Sequence, residues 1–159
     1  MFNTTFSILS ASLAAGALLA SSTIAAEYKE SGTVTYEPVS TAVTQIAGGR
    51  SVVKSHIKGV ILANDTANPI HLSAQDCDGA TILAADGKQI AASGSCHAVD
   101  ADGDVWTLWY HNSAAGNNWG VIGGIGKYDG MTGGGTTSPL ANLPDGRFVI
   151  SWDGAWQMK

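Results

Sequence analysis

The chain has 159 residues, of which 45% are apolar and only 13% charged; eight Lys and Arg against thirteen Asp and Glu leave a net charge of −5. The cations are spread singly from Lys29 to Lys159. No basic stripe follows a phosphate backbone or an anionic membrane surface, so neither nucleic acid nor membrane is expected as a partner.

The first 26 residues contain no Asp, Glu, Lys or Arg. An apolar run from Leu13 to Ala20 leads into small residues ending at Ala25-Ala26, and charges begin at once with Glu27, Lys29 and Glu30. This is the pattern of a cleavable secretion signal, although Met1 to Thr5 lack the usual Lys or Arg. A membrane anchor would need about 20 strongly apolar residues, and this segment is diluted by Ser, Thr and Gly. The expectation is a signal peptide over 1–26, cleaved after Ala25 or Ala26. One domain over 27–159 then follows, large enough to bury a core. No later segment is long and apolar enough to span a bilayer, so the mature chain is expected in the periplasm or outside the cell.

Beyond the leader, Gly is scattered too densely for helices, and no window repeats apolar residues at helical spacing. Strand patterns recur instead. Gly32 to Glu37 alternates and is expected to stop at Pro38. Ser51 to Leu62 carries Val53, Ile57 and Ile61 on one face and Lys54, His56 and Lys58 on the other. A turn from Asn64-Asp65 to Asn68-Pro69 precedes a short extended stretch, Ile70 to Ser73. Ala80 to Leu83 and Gln89 to Ala91 flank Asp86-Gly87, a dipeptide that suits a tight hairpin. Further strands are expected over Val105–His111, Trp119–Ile122, Thr132–Ser138 and Arg147–Trp152, with turns at Asn117-Asn118, Asp129-Gly130 and Pro144-Asp145-Gly146. Eight short strands at regular spacing point to an all-β, antiparallel, eight-stranded barrel, whose closure removes sheet edges and encloses side chains or one small ligand.

Val105 to His111 has bulky residues on both faces: Val105, Thr107, Trp109 and His111 on one, Trp106, Leu108 and Tyr110 on the other. A wet outer face should be polar, so another segment or another subunit is expected to cover it, making a homo-oligomer one outcome.

Cys77 and Cys96 are the only cysteines. In an oxidising compartment they make one disulfide closing a loop of about 20 residues, worth about 3 kcal/mol. Metal ligation fails on count, since His97 is the only imidazole near either cysteine.

The glycine-rich stretch from Gly123 to Thr136 is not a phosphate loop. Counting back from Gly126-Lys127 puts Val121 where the first Gly is required, and Tyr128 follows the lysine in place of Ser or Thr. Its glycines serve turns, bulges and close packing in a curved sheet. The pattern Gly-Gly-x-Gly-Lys-Tyr-x-Gly-x-Thr-Gly-x-Gly-Thr over 123–136 resembles the glycine signature of the allene oxide cyclase and dirigent β-barrel superfamily. It is more similar still to a group of small uncharacterised bacterial secreted proteins. Those proteins combine it with a Cys, an Asp-Ala-Asp-Gly-Asp turn and a Trp-Asp-Gly-x-Trp-like end, matched here by Cys96, Asp100 to Asp104 and Trp152 to Trp156. The resemblance covers about residues 75–156, and Ile125 stands where Thr is expected. It implies an eight-stranded barrel, often trimeric in the plant relatives. None of the superfamily's catalytic residues falls on a matched position, so cyclase activity is not implied.

Asp100, Asp102 and Asp104 invite a calcium reading, with Asp76 and Asp78 brought near by the disulfide. Gly103 at position four and His111 at position twelve break the calcium-loop pattern, and a polar turn is the better expectation. No Gly-x-Ser-x-Gly elbow accompanies the serines, and His56, His71, His97 and His111 show no metal-ligand spacing. Tyr36, Glu37, Tyr110 and His111 are acid–base candidates if they face a lumen. The five Trp fill the core, or line a pocket that Trp109, His111 and Trp119 would suit. The expected protein is an exported, non-enzymatic barrel, without cofactor or metal, that binds a small apolar ligand or serves a structural or stress role. An isomerase or cyclase of the allene oxide cyclase type and an oligomeric surface protein are the alternatives. A lumen holding His or Glu would favour the enzyme.

Overall fold

Alternating apolar and polar residues, punctuated by Asp-Gly turns, fold the chain as a run of antiparallel hairpins. The structure, a computed structural model, describes residues 25–159. The eight strands are β1 (Ala26–Gln45), β2 (Ser51–Ala63), β3 (Ala74–Leu83), β4 (Gln89–Val99), β5 (Val105–Ser113), β6 (Gly116–Ile125), β7 (Thr132–Asn142) and β8 (Phe148–Met158). They pair in chain order and close into one barrel, as the sequence predicts, with the Cys77–Cys96 disulfide in place. The expected leader falls outside the described residues except for Ala25 and Ala26.

Closure depends on β1. Its first half pairs with β8, from Ala26 opposite Met158 to Tyr36 opposite Phe148, and it continues against β2 as far as Gln45 opposite Ser51. This stagger tilts the strands about the axis, as a closed barrel requires. The strand expected to end at Pro38 therefore runs on. Pro38 lies past the end of the β1–β8 ladder and beside a bulge between Pro38 and Ser40, where its missing N–H is tolerated. The seam between β6 and β7 has only three paired positions, Asn118 to Gly120 against Thr136 to Gly134.

Three hairpins use one device. Ala84–Lys88, Asp100–Asp104 and Leu143–Arg147 each close with a first-to-fifth backbone bond, and each places Gly fourth, at φ 81, 86 and 87. Only the glycine is left-handed, which is a type I turn with a glycine bulge. Asp86-Gly87 is thus a turn as expected, but with Asp86 at negative φ.

Two local expectations are corrected. Ile70 to Ser73 continues the turn instead of resuming a strand, with Leu72 at φ 62 and Ile70 tucked beneath the barrel. Asn117 and Asn118 belong to β6, and the turn falls at Ala114-Ala115, where Ala115 N–H donates to Ser113 Oγ.

The core is asymmetric along the axis. At the end carrying the 64–73, 100–104 and 126–131 loops, Trp106, Trp119, Trp152 and Trp156 pack with ring centroids 6.0–6.5 Å apart, over Tyr128, Met131 and Ile70. Four tryptophans and the loops beneath them plug this end. The opposite end, with shorter hairpins, stays open.

Candidate functional site: the barrel lumen

Above the tryptophan plug lies a cavity of about 600 Å³ that opens between the short hairpins. Its walls come from the inward set of each strand, because successive side chains in a strand point to opposite faces. That parity sorts the chain's chemistry. Ser55, Ile57, Gln75, Cys77, Tyr110 and Asn112 face in, while Lys54, His56, Lys58, Asp76, Asp78 and His111 stand between them on the outer wall. Among the described residues, no Asp, Glu, Lys, Arg or His lines the cavity.

The cavity is graded. Trp106, Trp119 and Trp152 make an apolar floor. Midway, Tyr36 Oη donates to Gln75 Oε1 at 2.6 Å. Burial pushes the Tyr36 phenol well above its ordinary range, and neighbouring Tyr110 adds to this. Burial likewise raises Tyr110, with Asp78 adding to it, so both phenols stay neutral. Tyr110 reaches sideways across β4 and β3, over Gly94 and Gly79, where any Cβ would collide with its hydroxyl. At the mouth the lining turns to amides and hydroxyls, with Asn112, Asn117, Gln89, Asn142 and Thr81. Asn112 Oδ1 is buried there without a protein hydrogen-bond partner. A buried acceptor left unpaired costs about 1–3 kcal/mol, which a donor on a bound molecule would recover.

Of the pocket residues suggested by sequence, the structure places Trp119 on the floor and Trp109 and His111 on the outer wall. The three are not brought together. Trp109 is 43% exposed and lies across Gly120 of β6; no other segment of the described chain covers this face. Of the acid–base candidates, Tyr36 and Tyr110 face the lumen, and Glu37 and His111 do not.

The Asp100–Asp104 turn is built around an internal cation. Asp100, its side chain 3% exposed, lies 2.7 Å from Lys127 Nζ, which also reaches Asp102 at 2.8 Å. Asp100 Oδ1 accepts the amides of Asp102 and Asp104. Tyr128 Oη has one proton facing two acceptors, Asp100 Oδ2 at 2.9 Å and Pro69 O at 2.6 Å, and so ties all three loops together. Burial alone would raise the Asp100 carboxyl, but Lys127, Tyr128 and the two amides outweigh it and hold it below the usual 3.8. Two of the three carboxylates of the calcium reading, Asp100 and Asp102, thus grip an ammonium. Asp76 and Asp78 sit instead on the outer wall of β3. His56 Nε2 is 3.2 Å from Asp76 Oδ1, and His56 Nδ1 is 3.1 Å from Asp78 Oδ1. Sequence spacing does not reveal this cluster, since it exists only in the β2–β3 register that sets His56 opposite Asp78.

The sequence matches no protein-family model and no curated protein significantly. Among solved structures, the pterocarpan synthase dirigent protein GePTS1 superposes with a TM-score of 0.53 at 10% identity, covering 84% of this chain and 89% of that one. A protein of unknown function from the DUF3224 family of Shewanella oneidensis MR-1 superposes with a TM-score of 0.52 at 11% identity, covering 82% and 96%. At such identities the likeness is one of fold alone: the closed barrel of this chain is similar in fold to the dirigent protein.

Proposed function

We propose that this barrel is a non-enzymatic binding protein that holds one uncharged, mainly apolar small molecule in its lumen. The observation that carries this reading is a cavity of about 600 Å³ that no carboxylate, amine or imidazole among the described residues lines, a size ordinary for small-molecule sites. A carboxylate or ammonium buried there would lose its hydration with no oppositely charged partner, at a cost of several kcal/mol. The tryptophan floor suits a hydrocarbon or ring system, and the unpaired Asn112 Oδ1 suits a hydroxyl nearer the mouth. Work outside the cytoplasm accords with the disulfide and with the leader pattern.

The rival reading, an isomerase or cyclase, draws on the likeness to a dirigent protein whose name describes a pterocarpan synthase. Here it would have to work through the neutral phenols of Tyr36 and Tyr110 and the Gln75 amide, without any group that exchanges protons readily near neutral pH.

The test compares matched ligands. The purified mature chain is titrated with 1-decanol, decanoate and decylamine, following Trp fluorescence. Decanol should bind at least about ten-fold more tightly than either ion, and Ala92→Phe, which fills the wall, should weaken it. Decanoate binding as well as decanol, or decanol binding unchanged in the filled variant, would overturn the proposal.

A further inference from the structure

We propose that His56, Asp76, Asp78 and His97 form an exposed site for a divalent transition ion, of which zinc is the type, on the outer wall of β2, β3 and β4. His56 stands between two carboxylates, one on each ring nitrogen. A neutral imidazole has one N–H and can donate to only one of them. The other contact sets a nitrogen lone pair against an anionic oxygen, an arrangement that a proton or a metal cation resolves. One ligand atom from each of His56, Asp76 and Asp78 lies within 4.8 Å of the other two. The Nε2-to-Oδ1 separation of 3.2 Å falls within the spacing of about 2.9–3.4 Å between adjacent ligands around an ion bound at about 2.0–2.1 Å.

The register supplies a further donor. Asp76 faces Lys58 on β2 and His97 on β4, and His97 is exposed on the same face. Opposed side chains start about 4.5–5.5 Å apart at Cβ, so rotation of the His97 ring brings a nitrogen to the Asp76 carboxylate. Behind this pair, on the lumen side, the Cys77–Cys96 bridge ties the next cross-strand position and locks the register that sets Asp76 opposite His97. An ion on His56 Nε2 takes the Asp76 carboxylate and the two imidazoles directly, while Nδ1–H donates to Asp78 and holds the ring; such a mixed nitrogen and oxygen set selects zinc, copper or nickel over calcium or magnesium, which take oxygen shells. Lys58 Nζ, 3.5 Å from Asp76 Oδ2, competes for the same oxygens. It is more than half exposed and free to swing out, and Lys54 on the same face adds a second, more distant positive charge.

The test uses the tag-free, chelator-treated protein, titrated calorimetrically with zinc chloride near neutral pH and with calcium chloride as the control. Zinc should bind one ion per chain with a dissociation constant in the micromolar range, and calcium should give no saturable heat. His56→Ala and His97→Ala should each weaken zinc by about ten-fold or more, while His71→Ala and His111→Ala leave it unchanged. Lys58→Met, which removes the competing ammonium, should tighten it. Melting temperatures in chelator establish that each variant is folded, and His56→Asn replaces the alanine if that variant is not. Absence of saturable zinc binding up to about 1 mM, retention of full affinity in folded His56 or His97 variants, or equal competition by calcium would overturn the assignment.

Discussion

Removing the disulfide gives the most direct test of how this barrel is held. Cys77 and Cys96 face each other across β3 and β4 and are almost fully buried in the lumen wall. The bridge restrains the unfolded chain over a loop of about 20 residues, worth about 3 kcal/mol on the chain-entropy account. A domain of about 135 residues unfolds with an entropy of about 280 cal/mol/K near its midpoint, so that loss corresponds to a fall in Tm of about 10–12 °C. The double variant Cys77→Ala/Cys96→Ala avoids placing hydroxyls on an apolar wall. Its melting is followed by far-UV circular dichroism beside the oxidised parent. The β3–β4 hairpin lies inside a closed barrel, so the variant should still fold with the same spectrum. A Tm within about 2 °C of the parent would refute the reasoning, because residual structure would then restrain this hairpin in the unfolded ensemble without the bridge.

Tyr128→Phe should lower stability by about 1.5–3 kcal/mol, read from urea midpoints, because it deletes the hydroxyl joining the Pro69 carbonyl to the Asp100 carboxylate. The Asp100 carboxyl is held below 3.8 in the folded state, so its stabilisation is present above that pH and is lost as pH falls through the still lower folded value. The Tm gap between the parent and Asp100→Asn should therefore be full at neutral pH and begin to narrow only on acidification below about pH 4; a gap that was no wider at neutral pH than in acid would contradict the clasp. Trp119→Ala should cost about 3–5 kcal/mol and disturb decanol binding, whereas Trp109→Ala, on the outer wall, should leave binding intact. Equal effects of the two substitutions on binding would refute the assignment of faces.

Much of the architecture is legible in the sequence. Period-two alternation over Ser51 to Leu62, glycine density that forbids helices, and Asp-Gly at three turns specify an antiparallel meander, and two lone cysteines specify one bridge. These signals are local, carried by side-chain alternation and by the few residues that accept positive φ. Boundaries were less legible. A proline normally ends a strand, yet β1 passes Pro38 because closure needs a long staggered strand and a bulge absorbs the defect.

Which face of each strand looks inward is a tertiary decision. In Val105 to His111 both parities are bulky, and only the ladders on either side settle that Trp106, Leu108 and Tyr110 enclose the lumen while Trp109 and His111 leave it. Register decides the remainder. It sets His56 against Asp76 and Asp78, and brings Lys127 from one loop to Asp100 on another, across separations in the chain where no spacing rule applies. The sequence by itself determined the element types and the bridge; the closed barrel decided which side chains share a wall, and so left the lumen without charge among the described residues.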